Sequence, residues 1–373
     1  MVRVILLGCG KIGSVIARDL SKTLEMEFTA ADKSGSMARA TAESVGGEWI
    51  AVDVMDSSRL VRVLEDYDMV LGALPGDYGF RAIKAAIEAG VDMVDISFTP
   101  ENPLDLNDTA EERGVTVVPD CGIAPGLSNI LVGYGSSKLG KLKRANIMVG
   151  GLPEAPVPPL GYTITWSAEG LIDEYIRDAH IIKNGEIVAV PALSGLEEVE
   201  FPKVGRLEGF YTDGLRTLIK TMQGIDDMWE KTLRYPGHVE KVKLLRELGF
   251  FSDKSICIDD REVAPRMLTA KLFDEKLRIK GVGDLLAMKI LLESDEDTLE
   301  FTILDRYNEE EDTTAMARTT GYTASIVANM IAEGDVSMNG IVPPERLGIN
   351  GKNAERIISG LKKRGVDIRK SRR

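Results

Sequence analysis

Apolar runs at residues 2–7, 26–31, 49–54, 68–74, 91–96 and 115–118 alternate with amphipathic stretches over the first third of the chain. One such stretch, 78–89, puts Phe80, Ile83 and Ile87 on one face at helical spacing. Near-continuous apolar strands separated by helix-length segments predict an α/β fold: a doubly wound, parallel Rossmann sheet with helices on both faces. In such sheets ligands sit at the carboxyl ends of the strands. That singles out Asp53 after the third run, Gly72-Ala73-Leu74-Pro75-Gly76 after the fourth, and Asp95-Ile96-Ser97 after the fifth.

The sixth run leads into Val118-Pro119-Asp120-Cys121-Gly122-Ile123-Ala124-Pro125-Gly126, where two prolines and two glycines mark a turn and a domain exit. Beyond about residue 140 the pattern changes. Strand-like segments at 145–149, 162–166, 186–190, 198–201, 228–235, 285–292 and 298–306 follow one another with fewer helices between them. They predict a second, α+β domain with a mainly antiparallel sheet. Pro153, Pro156, Pro158 and Pro159 make a stiff extended loop within it. Segment 319–331 reads as a helix with Tyr322, Ile326 and Met330 in one row and Thr323, Val327 and Ile331 in the next. An apolar arc that wide must be buried. If this helix returns to the first domain, that domain is discontinuous. The basic tail, 362–373, reads as a solvated end.

The strongest chemical signal is Gly8-Cys9-Gly10-Lys11-Ile12-Gly13, directly after the first apolar run and directly before a helical pattern. Gly8 makes the turn, Gly10 lets backbone approach a pyrophosphate, and Gly13 lets the helix pack on the sheet. The helix that begins here directs its free N–H groups at phosphate. Asp32 ends the next strand, 19 positions beyond Gly13, where a carboxylate accepts from ribose hydroxyls. A 2′-phosphate about 4 Å from it meets about 4 kcal/mol of repulsion at an effective dielectric of about 20. The expected cofactor is therefore NAD, with NADP less favoured; Lys33 and Ser34 argue the other way. The cofactor-binding residues are expected to be Gly8, Gly10, Lys11, Ile12, Gly13, Asp32, Asp53, Leu74 and Pro75. Cys9 inside the loop reads as steric.

The chain has 373 residues, 44% of them hydrophobic, enough for two packed cores. A net charge of −13 disfavours nucleic acid as a partner. No apolar run approaches the ~20 residues that span a bilayer, and no basic-then-apolar leader precedes the strand at Val2. The expectation is a cytoplasmic protein with no membrane partner. Three cysteines, Cys9, Cys121 and Cys257, fit a reducing compartment, and two histidines, His180 and His238, make a metal site improbable. A single glutamine, Gln223, hints at a thermophilic source.

Several segments together carry a resemblance: Gly8–Gly13, Asp120-Cys121-Gly122-Ile123-Ala124-Pro125-Gly126-Leu127-Ser128-Asn129, Trp166-Ser167 with Gly170, Tyr211-Thr212-Asp213-Gly214-Leu215-Arg216, Leu233-Arg234-Tyr235-Pro236-Gly237-His238, and Thr319-Thr320-Gly321-Tyr322-Thr323-Ala324. With these the chain resembles the saccharopine dehydrogenase-like oxidoreductases, and within them its lysine 6-dehydrogenases. The resemblance implies a Rossmann domain over 1–125 completed by 318–373, and a substrate-binding and dimerisation domain over 126–317, hence a homodimer. It implies oxidation of a carbon–nitrogen bond in a small amino-acid substrate: L-lysine at its ε-amine, giving 2-aminoadipate 6-semialdehyde, NADH and ammonia. Oxidation of saccharopine or a carboxy-polyamine is the alternative, and an NAD(H)-binding sensor without turnover the remote one. Saccharopine reductases usually carry Asp-Pro-Gly in the turn where this chain has Ala124, which weighs against saccharopine.

Hydride leaves carbon only if nitrogen can donate a lone pair, and deprotonating a lysine ε-amine at pH 7 costs roughly 4.6 kcal/mol. A general base near the ends of the fourth to sixth strands is required, and Asp95, Asp120 and Cys121 are the candidates. The segments that carry the resemblance offer Arg216 and Arg234 for the substrate carboxylate, Trp166 as a wall for its alkyl chain, and His238 as a further substrate contact.

Overall fold

The computed structural model describes all residues, Met1–Arg373. In chain order it begins β1 (Val2–Leu7), α1 (Lys11–Thr23), β2 (Met26–Asp32), α2 (Gly35–Val45), β3 (Glu48–Ala51), α3 (Ser57–Leu64), β4 (Met69–Gly72), α4 (Gly76–Ala89) and β5 (Asp92–Asp95). There follow α5 (Asn107–Arg113), β6 (Thr116–Val118), α6 (Leu127–Leu139), β7 (Arg144–Pro153), α7 (Ala168–Ile176), β8 (Ala179–Lys183), β9 (Glu186–Val190), β10 (Glu197–Phe201) and β11 (Gly205–Tyr211). Then come α8 (Leu218–Thr221), β12 (Asp227–Arg234), α9 (His238–Glu247), β13 (Ile256–Ile258), β14 (Arg261–Val263), α10 (Pro265–Leu277), β15 (Asp284–Glu293) and β16 (Thr298–Arg306). The chain ends with α11 (Ala315–Ala332), β17 (Gly340–Ile341), α12 (Pro344–Ile349), α13 (Gly351–Lys363) and β18 (Asp367–Arg372).

Two compact units result. The first gathers Met1–Gly140, Arg216–Met222 and Ala317–Val366. Its sheet is parallel throughout, in the order β17-β6-β5-β4-β1-β2-β3. The order reverses between β1 and β4, and such a switch point leaves a crevice at the carboxyl ends of the two strands. β1 and β4 are buried on both faces, as their unbroken apolar runs require. Ile5, Leu7, Val70, Met93 and Val117 pack with Ile83 and Ile87 of α4 on one side of the sheet. α11 packs on α1: a Cβ at Gly321 would lie 3.0 Å from the Val15 side chain, and Asn329 donates to the Thr23 hydroxyl. At the end of this unit Arg364 gives Nε and Nη2 to the two oxygens of Asp19 at 2.7 and 2.8 Å, tying the last helix to α1.

The second unit gathers Lys141–Leu215, Gln223–Met316 and Asp367–Arg373. Its mixed sheet runs β10-β11-β12-β7-β15-β16-β18, with β8 on β12 and β9 on β8. Only the β12–β7 pair is parallel. One core joins Leu152, Phe201, Leu207, Leu233 and Leu285. Another packs Tyr162, Leu171, Tyr175, Phe210 and Phe273 between α7, α9 and α10.

Three details depart from the sequence reading. Residues 162–166 are not a strand but an irregular approach to α7, with Tyr162 and Ile164 buried by the side-chain core rather than by ladder pairing. The basic tail is not a free end, because 367–372 pairs antiparallel with β16 and belongs to the second unit. The first unit extends to Gly140, beyond 125, because α6 packs on α12: a Cβ at Gly133 would lie 2.1 Å from the Glu345 carbonyl oxygen, and one at Gly348 2.0 Å from that of Ile130. Helices that approach this closely need glycine at the crossing.

β12 turns Glu230, Thr232 and Arg234 to one face by its two-residue period. Glu230 is buried against Gly214, and its Oε2 has no hydrogen-bond partner. Burial, with Glu174 and Asp213 nearby, pushes its carboxyl from 4.5 up to about 8. Between those two values the folded chain keeps a proton that the unfolded chain has released, so stability falls as pH rises through this window and levels off above it. Glu230→Gln, which has no proton to lose, should therefore raise the melting temperature over wild type more at about pH 9 than at about pH 5. An equal effect at both pH values would refute the assignment. Arg364→Ala leaves Asp19 buried without its cation and should cost about 2–4 kcal/mol, read as a lower urea midpoint.

Candidate active site

The turn after β1 is built for a phosphate. Gly8 has φ +97°, and a Cβ on it would meet the Ala73 carbonyl oxygen at 2.4 Å. A Cβ on Gly13 would meet the Gly8 carbonyl at 2.0 Å, whereas nothing lies within 4 Å of the Cβ position on Gly10. Open space at Gly10 and crowding at the other two are what a pyrophosphate-binding turn requires. α1 starts at Lys11 with no side-chain cap, so the amides of Lys11, Ile12 and Gly13 are not taken up by one. Cys9 is buried with its thiol pushed up to about 11 by burial, and its place is steric. Leu74 closes over Gly8, and Pro75 precedes α4. Asp53 is exposed and accepts from the Met55 amide, so its carboxylate closes a local turn.

Asp32 is engaged with its own surroundings. Oδ2 accepts from the Cys9 amide at 2.9 Å and Oδ1 from the Ser34 amide at 2.8 Å. The carboxylate thus ties the first turn to the start of α2. Exposed Lys33 follows it, the Ser34 and Ser36 hydroxyls lie 2.9 Å apart, and the N-terminus of α2 has no side-chain cap.

At the ends of β5 and β6 the same unit collects its acids. Asp95 is fully buried and accepts from the Ser97 amide at 2.8 Å and the Ser97 hydroxyl at 3.1 Å. It lies so close over Gly72 that a Cβ there would fall 1.8 Å from Oδ2. Burial pushes its carboxyl up to about 7, against the pull of the two Ser97 bonds, and Asp120 adds to the rise. The Cys121 amide donates to the Asp95 carbonyl at 2.8 Å, which fixes Asp120 beside it in the chain.

Asp120 is buried at φ +52° and accepts from Arg216 through Nε at 3.1 Å and Nη2 at 3.3 Å. Burial raises the Asp120 carboxyl, and the guanidinium opposes that rise. Arg216, itself at φ +53°, also donates to Thr99 Oγ1 and lies 4.6 Å over the Phe98 ring. Nη1 is the part of the fork that neither Asp120 nor Thr99 takes up. Cys121 is fully buried, and burial together with the two aspartates raises its thiol far above its ordinary value. It keeps its proton at neutral pH and is not a base.

The remaining expected residues lie in the second unit. Arg234 is buried, gives Nη2 to Glu174 Oε2 at 2.8 Å and Nη1 to the Leu233 carbonyl, and stacks 4.4 Å over Tyr162. Its Nε has no partner. His238 is buried between the Leu160 carbonyl on Nδ1 and the Tyr175 hydroxyl on Nε2, both at 2.9 Å. A carbonyl can only accept, so Nδ1 carries the proton and Nε2 accepts from Tyr175. Burial and Arg234 push the imidazole down to about 3, which makes it a neutral structural group rather than a proton carrier. Trp166 is 38% exposed, rests against Gly170 and donates to the Tyr162 hydroxyl.

The structure therefore brings Asp95, Asp120, Cys121 and Arg216 together within one unit, while Trp166, Arg234 and His238 form a second group in the other. Sequence reasoning did not find Phe98, Thr99, Tyr162, Glu174 or Tyr175. Phe98 and Thr99 follow Ser97 at a strand end and were within its reach. Glu174 and Tyr175 lie on a helix with no motif of their own.

Residues 4–118 match the family model described as the saccharopine dehydrogenase NADP binding domain, and residues 122–366 match that of the saccharopine dehydrogenase C-terminal domain. The chain is 29% identical over 272 residues to saccharopine dehydrogenase (NADP(+), L-glutamate-forming) of Saccharomyces cerevisiae, covering 70% of this chain and 61% of the relative. It is 26% identical over 233 residues to alpha-aminoadipic semialdehyde synthase of Arabidopsis thaliana, covering 58% of this chain and 22% of that protein. The matched stretches thus span less than two thirds of either relative. The fold superposes on an apo saccharopine dehydrogenase (L-Glu forming) from Saccharomyces cerevisiae with a TM-score of 0.83 at 22% identity, over 100% of both chains.

These matches overturn the expectation of NAD, since both the nucleotide-domain family and the yeast relative are described as NADP-binding. The physical reason lies at Asp32. Each of its oxygens already accepts one backbone amide, which partly neutralises the carboxylate, and exposed Lys33 with the Ser34 and Ser36 hydroxyls follows it at the head of α2. Two domain matches that together run from residue 4 to residue 366 establish that the chain belongs to the saccharopine dehydrogenase family.

Proposed function

We propose that this protein is an NADP-dependent oxidoreductase that opens the carbon–nitrogen bond of a saccharopine-type secondary amine. In the oxidative direction saccharopine, NADP⁺ and water give L-glutamate, 2-aminoadipate 6-semialdehyde, NADPH and a proton. The observation that carries the reading is the pairing of a titratable acid, Asp95, with an arginine-held acid, Asp120, at adjacent carboxyl ends of the parallel sheet in a chain of this family.

Bound NADP supplies the hydride acceptor. The amides of Lys11, Ile12 and Gly13 would hold its pyrophosphate, and Lys33 with Ser34 and Ser36 its 2′-phosphate. Asp95 takes the proton that the amine must lose before its nitrogen can donate a lone pair, and a carboxyl held near 7 can accept and return a proton at neutral pH. Arg216 takes a substrate carboxylate on Nη1 while Asp120 fixes the plane of its fork. Cys121 fills space beside the two acids.

A second reading is oxidation of the lysine ε-amine on the same scaffold with NADP. It is favoured by Ala124 in the turn and by the pairing of Arg216 with Asp120. Such a site offers little spare positive charge for a substrate with three carboxylates.

Following NADPH absorbance with saccharopine, lysine and a panel of other amines separates the readings. Signal with saccharopine supports the first, signal with lysine alone the second, and no signal with any amine removes both. Asp95→Asn should lower kcat by about 10²–10⁴-fold and flatten the rise of oxidation rate with pH through about 7. Lys33→Ala should raise KM for NADP about tenfold with kcat little changed, as the loss of one charge-assisted phosphate contact does.

A further inference from the structure

We propose that Glu345 is a positioning residue for the Asp120–Arg216 pair, gripping from one buried carboxylate both of the chain segments that carry the pair. Glu345 lies on α12, is completely buried, and no lysine, arginine or histidine is bonded to it. Its oxygens accept instead from three neutral side chains. Thr217 donates to Oε2 at 3.0 Å, Asn129 Nδ2 donates to Oε2 at 3.3 Å, and Thr221 donates to Oε1. Burial raises its carboxyl, and these three bonds oppose the rise.

The two threonines belong to the short segment Arg216–Met222, which is part of the first unit while the chain on either side of it belongs to the second. Thr217 directly follows Arg216, a non-glycine residue at φ +53°. A side chain at that backbone angle is strained by about 1 kcal/mol or more and keeps it only if its neighbours are held. Asn129 holds the other side. Its Oδ1 accepts from the Gly126 amide at 3.3 Å and from the Ser128 hydroxyl at 3.0 Å, which clasps the turn that follows Asp120 and Cys121. Asn129 Nδ2 also reaches Thr217 Oγ1 at 3.4 Å, closing the network between the two segments. The close α6–α12 crossing at Gly133 and Gly348 brings the carboxylate within reach of Asn129. The network touches neither Asp120 nor Arg216 directly, and it carries no charge pairing that stability alone would favour. A buried carboxylate without a cation is costly to keep, and here it serves the backbone on either side of the ion pair.

The inference rests on the reading of Asp120 and Arg216 as substrate-site residues only for its kinetic consequence. The test therefore includes a readout that needs no turnover. Glu345→Gln keeps the shape but replaces one acceptor oxygen with an NH₂ that faces donors. In full-length protein shown by circular dichroism to be folded, labelling of Arg216 by phenylglyoxal should quicken about threefold or more relative to exposed Arg113, followed by peptide mass spectrometry. Binding of NADP, titrated by fluorescence, should stay as in wild type. KM for the amino-acid substrate should rise about tenfold with a smaller change in kcat. Thr217→Val should reproduce the faster labelling and Thr217→Ser, which keeps the hydroxyl, should label at the wild-type rate, a pair that decides the matter if Glu345→Gln does not fold. Unchanged labelling of Arg216 in both Glu345→Gln and Thr217→Val overturns the inference. Absence of turnover in wild type with every amine would remove the proposed function and leave the labelling result to stand by itself.

Discussion

The carboxyl edge of the parallel sheet depends on one buried ion pair, Asp120 with Arg216. Taking two charges out of water costs several kcal/mol each, and only a geometry that satisfies both partners offsets it. The planar fork of Arg216 does so with Nε and Nη2 on the two carboxylate oxygens, a third bond to Thr99, and the Phe98 ring against its face. Both residues hold positive φ, so the pair persists only because the surrounding backbone is held on each side. Asp95, on the neighbouring strand, is the counterexample. It is equally buried, but its carboxylate is bonded to Ser97 and to no cation, and its carboxyl rises to about 7. One acid has its charge matched and the other does not, so the same residue type meets two different electrostatic environments at adjacent strand ends.

The same contrast recurs in the second unit. Arg234 is matched by Glu174, while Glu230, four residues earlier on the same strand face, has an oxygen with no partner and rises to about 8. Many of these side chains are seated against glycine. Asp95 lies over Gly72, Ser97 over Gly79, Trp166 over Gly170 and Glu230 over Gly214, each closer than a Cβ would allow. Contact with bare backbone leaves such a side chain little room to shift, and this restricts where each acid can present its oxygens.

Much of the first unit was legible in the chain because its strands are short, apolar on both faces and separated by helices of matching length. The turn at Gly8–Gly13 was legible for the same local reason: its steric demands act within a few residues. The misreadings had tertiary causes. Residues 162–166 are apolar because they fill a helix-lined core, not because they pair in a ladder. The basic tail pairs with β16, whose partner edge is distant in sequence. Asp32 suggested NAD by its position, and only the fold shows that its oxygens already accept the Ser34 amide and that of Cys9, 23 residues away. His238 stood out in the sequence by its place after Pro236-Gly237, and only the fold shows that its two ring nitrogens face Tyr175 and the Leu160 carbonyl.

By itself, the sequence determined the alternation of strands and helices in the first unit, where the glycine turn lies, that Asp95, Asp120 and Cys121 stand at strand ends, and which family the segments from Gly8 to Ala324 resemble. These follow from periodicity and from backbone constraints that act over a few residues. Only the tertiary structure decided which charges are paired, which titrate near neutrality and which network grips the segments around Arg216. Protonation and orientation depend on desolvation and on partners as much as 345 positions away, as Arg364 is from Asp19, and no local pattern records them.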